Sequence, residues 1–153
     1  MDERKIAHLG FIETTIERMA NNSAAIKGWS MGIVAAIIGL GIIGKDKAEP
    51  LVNWIVFGCA CAIAIVMWCL DAFYLYQEKL YRDLYFLIKD KKDEEIDYSM
   101  DARRETIIKQ KGEAVCYFSV LINRTILPFY LPQLLINFAF FVLPMLIQST
   151  SCN

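Results

Sequence analysis

The chain alternates long stretches without charge and stretches dense in it. Gly28 to Gly44 is a run of seventeen uncharged residues, Leu51 to Leu70 a run of twenty, and after Arg124 no residue is charged. A helix rises about 1.5 Å per residue, so the first run covers roughly 25 Å and the second about 30 Å, the thickness of a bilayer core. Lys27 and Lys45 flank the first run and can snorkel to lengthen it. The third run has an apolar centre from Leu131 to Ile147, with Pro132 near its start and Pro144 near its end. Prolines at those places suit the two ends of a membrane helix, where freed backbone groups find other partners. A soluble fold would have to cover each run on every side. The pattern therefore predicts an all-α integral membrane protein with three transmembrane helices, an amphipathic N-terminal helix and a cytoplasmic helical hairpin.

The expected boundaries are a cytoplasmic amphipathic helix over 1–27, spans over 28–44, 51–70 and 125–148, an outer link over 45–50, a cytoplasmic helical region over 71–124 and an outer tail over 149–153. Segment 1–27 holds four Lys and Arg, the link two, segment 71–124 ten and the tail none. Cations favour the cytoplasmic side, so the prediction is a multi-pass protein with its N-terminus inside and its C-terminus outside. Trp29, Trp68, Phe73, Tyr74 and Tyr76 gather at the inner ends of the first two spans, and Trp54 at the outer end of the second, as interfacial aromatics do.

Leu9, Ile12, Ile16, Met19 and Ile26 follow a three-four spacing, with Ser23 in the remaining heptad position. This face should pack on the other cytoplasmic helices or lie along the membrane surface. No Gly or Pro interrupts Leu70 to Lys89, so the second span should run on, with Tyr74, Tyr81, Tyr85 and Ile88 at helical spacing. KDKKDEEID (89–97) reads as a solvated break, and a further helix should start near Asp97 or Ser99, either of which could cap it, and carry DARRETIIKQKGEAVCYFSVLIN (101–123).

A short outer link makes the first two spans an antiparallel hairpin in which the numbers of facing residues sum to about 95. That register places Asn22, Ser23, Lys27 and Asp71 in one polar layer at the inner boundary, with Glu78 and Arg82 further along as an i, i+4 pair. An ionisable group there needs a partner, and a Lys27–Asp71 ion pair is the expected one. The layer reads either as a clasp that holds the hairpin in register or as a gate that moves on activation. Gly28, Gly32, Gly39, Gly41 and Gly44 allow close helix approach, and Gly28 and Gly32 form a G-x-x-x-G suited to helix packing or self-association.

Composition adds exclusions. A formal net charge of −1 lacks the basic stripe of a nucleic-acid binder. Cys59, Cys61, Cys69, Cys116 and Cys152 form no C-x-x-C pair, so neither a metal site nor a disulfide framework is expected, and no cofactor. His8, the only histidine, reads as solvated. Serines and cysteines have no partner base in sequence reach, which argues against an enzyme. Residues 1–27 are polar with both signs of charge, so no cleavable leader is expected. Glu78, Arg82, Arg103 and Arg104 form either a solvated charged face or a place for a headgroup or anionic ligand.

The strings RMANNSAAIKGWS (18–30) and LDAFYLYQEKLYRDLY (70–85) resemble a widespread, poorly characterised family of small bacterial membrane proteins. That family carries R-M-x-x-N-S-x-x-x-K-G-W before its first span and L-D-A-x-Y-L-x-x-E-x-x-x-R-x-L-Y after its second. Arg18, Met19, Asn22, Ser23, Lys27, Gly28, Trp29, Asp71, Tyr74, Glu78, Arg82 and Tyr85 match it, within residues 15–90. The two elements coincide with the polar layer. The resemblance is similar to small membrane effectors of anti-phage systems and brings no assigned activity. The functional expectation is a homo-oligomeric membrane effector or pore-like subunit acting on the lipid bilayer. The alternative is a non-enzymatic scaffold or adaptor whose cytoplasmic helices dock a protein partner.

Overall fold

A computed structural model describes residues 3–44 and 50–151, with the side chains of 42–44, 50, 51, 53 and 143–151 outside the description. Most of the expected link (45–49) and the end of the expected tail, with Cys152, also lie outside it. The fold is all-helical, with no strand among the described residues. Two helices dominate: α1 over Glu3–Gly44 and α2 over Pro50–Asp90. At 42 and 41 residues each is about 60 Å long. Beyond them come a 3-10 turn at Asp93–Glu95, α3 over Arg104–Lys111, α4 over Tyr117–Leu121 and α5 over Leu127–Ser151. Both α1 and α2 contain a stretch long and apolar enough to cross a membrane, and the apolar helix Leu127–Val142 is shorter.

The contacts divide the chain into two units, one of Met1–Ala24 with Asp71–Ile122 and the other of Ala25–Leu70 with Asn123–Asn153. The first is built like a small water-soluble core. Leu9 and Ile12 from α1 pack with Leu80, Leu84 and Ile88 from α2, and Ala102 and Ile107 close the cluster. Ile16 packs against it, as the three-four spacing predicts. Lys5 fastens the start of α1, donating to the Lys91 carbonyl at 2.6 Å and pairing with Asp93 at 3.2 Å. Lys111 reaches Asp83 at 2.5 Å and ties the end of α3 to α2.

The second unit buries little of its apolar surface. Val34, Ala60, Ala64, Ile126 and Tyr130 are covered, whereas Trp29, Leu40, Trp54, Ile55, Val66, Leu135 and Phe140 are exposed. Tyr130 stacks on Trp68 with centroids 6.1 Å apart and planes 8° from parallel, and its hydroxyl donates to the Met67 carbonyl at 3.3 Å. A Cβ at Gly41 would lie 2.8 Å from the Phe141 ring and 3.5 Å from Val56, so this glycine permits the close approach.

Three expectations are corrected. The helix expected to start near Asp97 or Ser99 starts at Arg104. Ser99 Oγ accepts from the Asp101 amide at 3.3 Å and Asp101 Oδ1 from the Arg103 amide at 3.1 Å. These local bonds give the backbone an alternative to helix. The expected continuous helix through 101–123 is broken at Gly112, whose φ of 82° ends α3 in the left-handed region, its amide donating to the Ile108 carbonyl at 2.8 Å. Pro144 does not mark the end of the last helix, because α5 continues to Ser151.

Candidate functional site

Within the first unit, α1 and α2 meet at Ser23 and Asp71. Helical spacing on α1 carries the buried face from Leu9 and Ile12 through Ile16 and Met19 to Ser23. On α2, Asp71 and Ala72 begin the buried face that continues to Glu78 and Leu80. The Ser23 hydroxyl donates to Asp71 Oδ1, with Asp71 fully buried and Ser23 nearly so. A hydroxyl is a compact donor to one oxygen of a buried carboxyl.

Two turns further along α2, Glu78 is buried and Arg82 is half-exposed. Arg82 Nε donates to Glu78 Oε1 at 2.9 Å, and Nη2 lies 2.6 Å from the same oxygen, the i, i+4 pairing expected from the sequence. Asn22 is half-buried beside Ser23 in the sequence, and Lys27, also half-buried, lies one turn beyond Ser23 on α1.

Of the two uses expected of Gly28 and Gly32, packing within the chain is not seen among the described residues. Nothing lies within 4 Å of a Cβ placed at either, so no helix of the described chain packs there. His8 is also corrected. It is buried rather than solvated, edge-to-face with Tyr98 at 5.6 Å, and its Nε2 has no partner among the described residues.

The second unit holds a polar cluster that the sequence reading missed. Ser30 on α1 and Asn137 on α5 are fully buried. Gln133 Nε2 donates to the Ser30 carbonyl at 3.0 Å and to Ser30 Oγ at 3.1 Å, while Ser30 Oγ lies 3.1 Å from Gln133 Oε1. Asn137 Nδ2 donates to the Gln133 carbonyl at 3.1 Å, and Asn137 Oδ1 has no partner among the described residues. The signal is present in the sequence as two amide side chains four apart in an apolar run, which carries no charge to mark it.

Electrostatics outside the apolar helices centres on Asp101. Its carboxyl takes two bonds from the Arg103 guanidinium, at 2.8 and 2.7 Å, and one from the Thr106 hydroxyl at 3.1 Å. The Arg103 side-chain bonds, followed by its backbone bond, hold the Asp101 carboxyl well below the usual carboxylate range. The described cysteines, Cys59, Cys61, Cys69 and Cys116, are free thiols. No group of three or more His, Cys, Asp or Glu side chains converges among the described residues. No family model, curated protein or solved structure matches the chain.

Proposed function

We propose that this protein is a three-span bacterial inner-membrane protein, N-terminus inside and C-terminus outside, that assembles into an oligomeric effector or pore-like subunit acting on membrane integrity. The observation that carries the reading is the poor cover of the apolar helices. Only 17% and 22% of the residues in the two membrane-length windows are buried. Core helices of a soluble domain would be covered, so the exposed apolar side chains of α1, α2 and α5 call for lipid or for another copy. The buried Ser30–Gln133–Asn137 group supports the reading further. Amide and hydroxyl bonds between helices are a recurring way to join spans where apolar contact gives little net drive. The third span is α5, whose 25 residues measure about 37 Å, enough to cross with some tilt.

The unused face at Gly28 and Gly32 supports self-association through α1. The Ser23–Asp71 pair is the working part of this reading, as a clasp at the inner boundary whose release alters the assembly. A scaffold role has one observation in its favour. Phe11, Phe86 and Phe118 of the first unit are more than half exposed, as a protein-docking surface would leave them.

Membrane potential, read with a voltage-sensitive dye after inducing the protein alone in a bacterial host, tests the proposal. Prompt depolarisation that Asp71→Leu changes supports it. Normal potential at good membrane expression, together with monomeric protein on cross-linking, refutes the pore-like reading. A C-terminal reporter active only outside the cytoplasm tests the topology, and a cytoplasmic signal overturns three spans.

A further inference from the structure

A cavity of about 300 Å³ opens in the first unit between α2 and the segment that enters α3. Tyr76, Gln77 and Tyr81 form one wall, and Asp101, Arg103 and Arg104 face them. The volume is at the lower end of small-ligand sites. Its charged side has an arrangement that a merely solvated face would not need. Asp101 is already neutralised, because Arg103 gives it two of its five guanidinium donors and an amide bond. The remaining Arg103 donors are unspent. The side chain of Arg104, the first residue of α3, makes no hydrogen bond or ion pair among the described residues. Two guanidinium groups on adjacent residues thus border a cavity that carries one surplus positive charge.

The opposite wall supplies planar, half-buried rings. Tyr76 is braced edge-to-face by Tyr117 at 5.9 Å, which fixes its plane beside the cavity. Guanidinium forks match the oxygens of a phosphate, and aromatic rings give an adjoining flat group a surface to lie on. A phosphate monoester presents three terminal oxygens to these donors, where a carboxylate presents two.

We propose that this cavity binds a phosphate monoester, with Arg104 and the free edge of Arg103 holding the phosphate and Tyr76 and Tyr81 flanking the group attached to it. Asp101 is a positioning residue that aims the Arg103 fork. The same chemistry is carried by a soluble nucleotide and by a phosphorylated lipid headgroup. The site does not depend on whether the protein perturbs a membrane, because binding alone is the readout.

The test uses the full chain in phosphatidylcholine nanodiscs, titrated by calorimetry with inorganic phosphate and adenosine 5′-monophosphate. A parallel arm compares thermal stability in nanodiscs with and without phosphatidylinositol 4-phosphate. Saturable binding of the nucleotide, weakened at least tenfold by Arg104→Ala and lost in Gln77→Trp, which fills the cavity, supports the site with a soluble ligand. Stabilisation by the phosphoinositide alone, with the same dependence on both variants, supports the site and assigns its source to the headgroup. Arg104→Lys, which keeps the charge without the fork, should bind weakly while melting like the wild type. Absence of binding to every phosphate form at millimolar concentration overturns the proposal, as does binding that Arg104→Ala and Gln77→Trp leave within twofold.

Discussion

Removing the Ser23 hydroxyl tests one buried bond between α1 and α2. Ser23 is 6% exposed and Asp71 fully buried, so water cannot readily replace the lost donor. A hydrogen bond to a charged group contributes about 1.5–3 kcal/mol, so Ser23→Ala should destabilise by that amount. For a chain of this size each kcal/mol moves the melting midpoint by about 2–4 °C, which makes the expected drop roughly 3–12 °C. Asp71→Asn retains an oxygen for the hydroxyl and should cost less at this bond than Asp71→Leu, which removes it. The assay is thermal unfolding in one detergent, followed by helical circular dichroism, for Ser23→Ala, Asp71→Leu and the double variant. If the bond carries the contact, the double variant should be less destabilised than the two singles together by more than about 1 kcal/mol. Additivity within about 0.5 kcal/mol would show that the two side chains are neighbours without being partners, and would refute the reasoning.

Gln133→Leu removes the bonds to Ser30 and should lower stability by about 1–2 kcal/mol, measured by the same unfolding assay; an unchanged midpoint would mean the amide group is incidental. Gly41→Leu should reduce the folded yield because Phe141 already sits 2.8 Å from the added Cβ. Gly28→Leu and Gly32→Leu should leave monomer stability unchanged and weaken cross-linking between copies; full cross-linking in both would remove α1 from the oligomer contact. Because the Asp101 carboxyl is held below its ordinary range, near 4, the unfolded segment takes up its proton first as pH falls. Protection of residues 101–106 in hydrogen exchange should therefore be intact above about pH 5 and decline below about pH 4. Asp101→Asn should lower protection at pH 7 and flatten that acid dependence.

The helical hairpin was legible in the sequence because periodicity and charge both marked it. The expected register sums to about 95, and the contacts of Lys5 with Lys91, Ser23 with Asp71 and Gly41 with Val56 all fall close to it. The Glu78–Arg82 pair was legible for the same reason, since both residues belong to one helix. The start of α3 was not, because Asp97 and Ser99 look like caps until Asp101 competes for the same backbone. His8 was misplaced because its burial depends on Tyr98, ninety residues away in sequence, with which no periodicity connects it. Gln133 and Asn137 escaped because an amide in an apolar run leaves the charge pattern unbroken. The exposed apolar surface of the second unit was legible as well, since it lies on the uncharged runs that the hydropathy pattern marks.

The first unit is assembled from two separated pieces of chain, and that has a consequence for biosynthesis. Leu9 and Ile12 leave the ribosome roughly 70–100 residues before Leu80, Leu84 and Ile107, their partners in the folded protein. At about 5–20 residues per second the wait lasts several seconds or longer, many orders of magnitude beyond the time a helix takes to form. During that interval the nascent α1 presents a sticky stripe with no native mate, and a chaperone or the membrane surface must shield it until the rest of the polypeptide arrives.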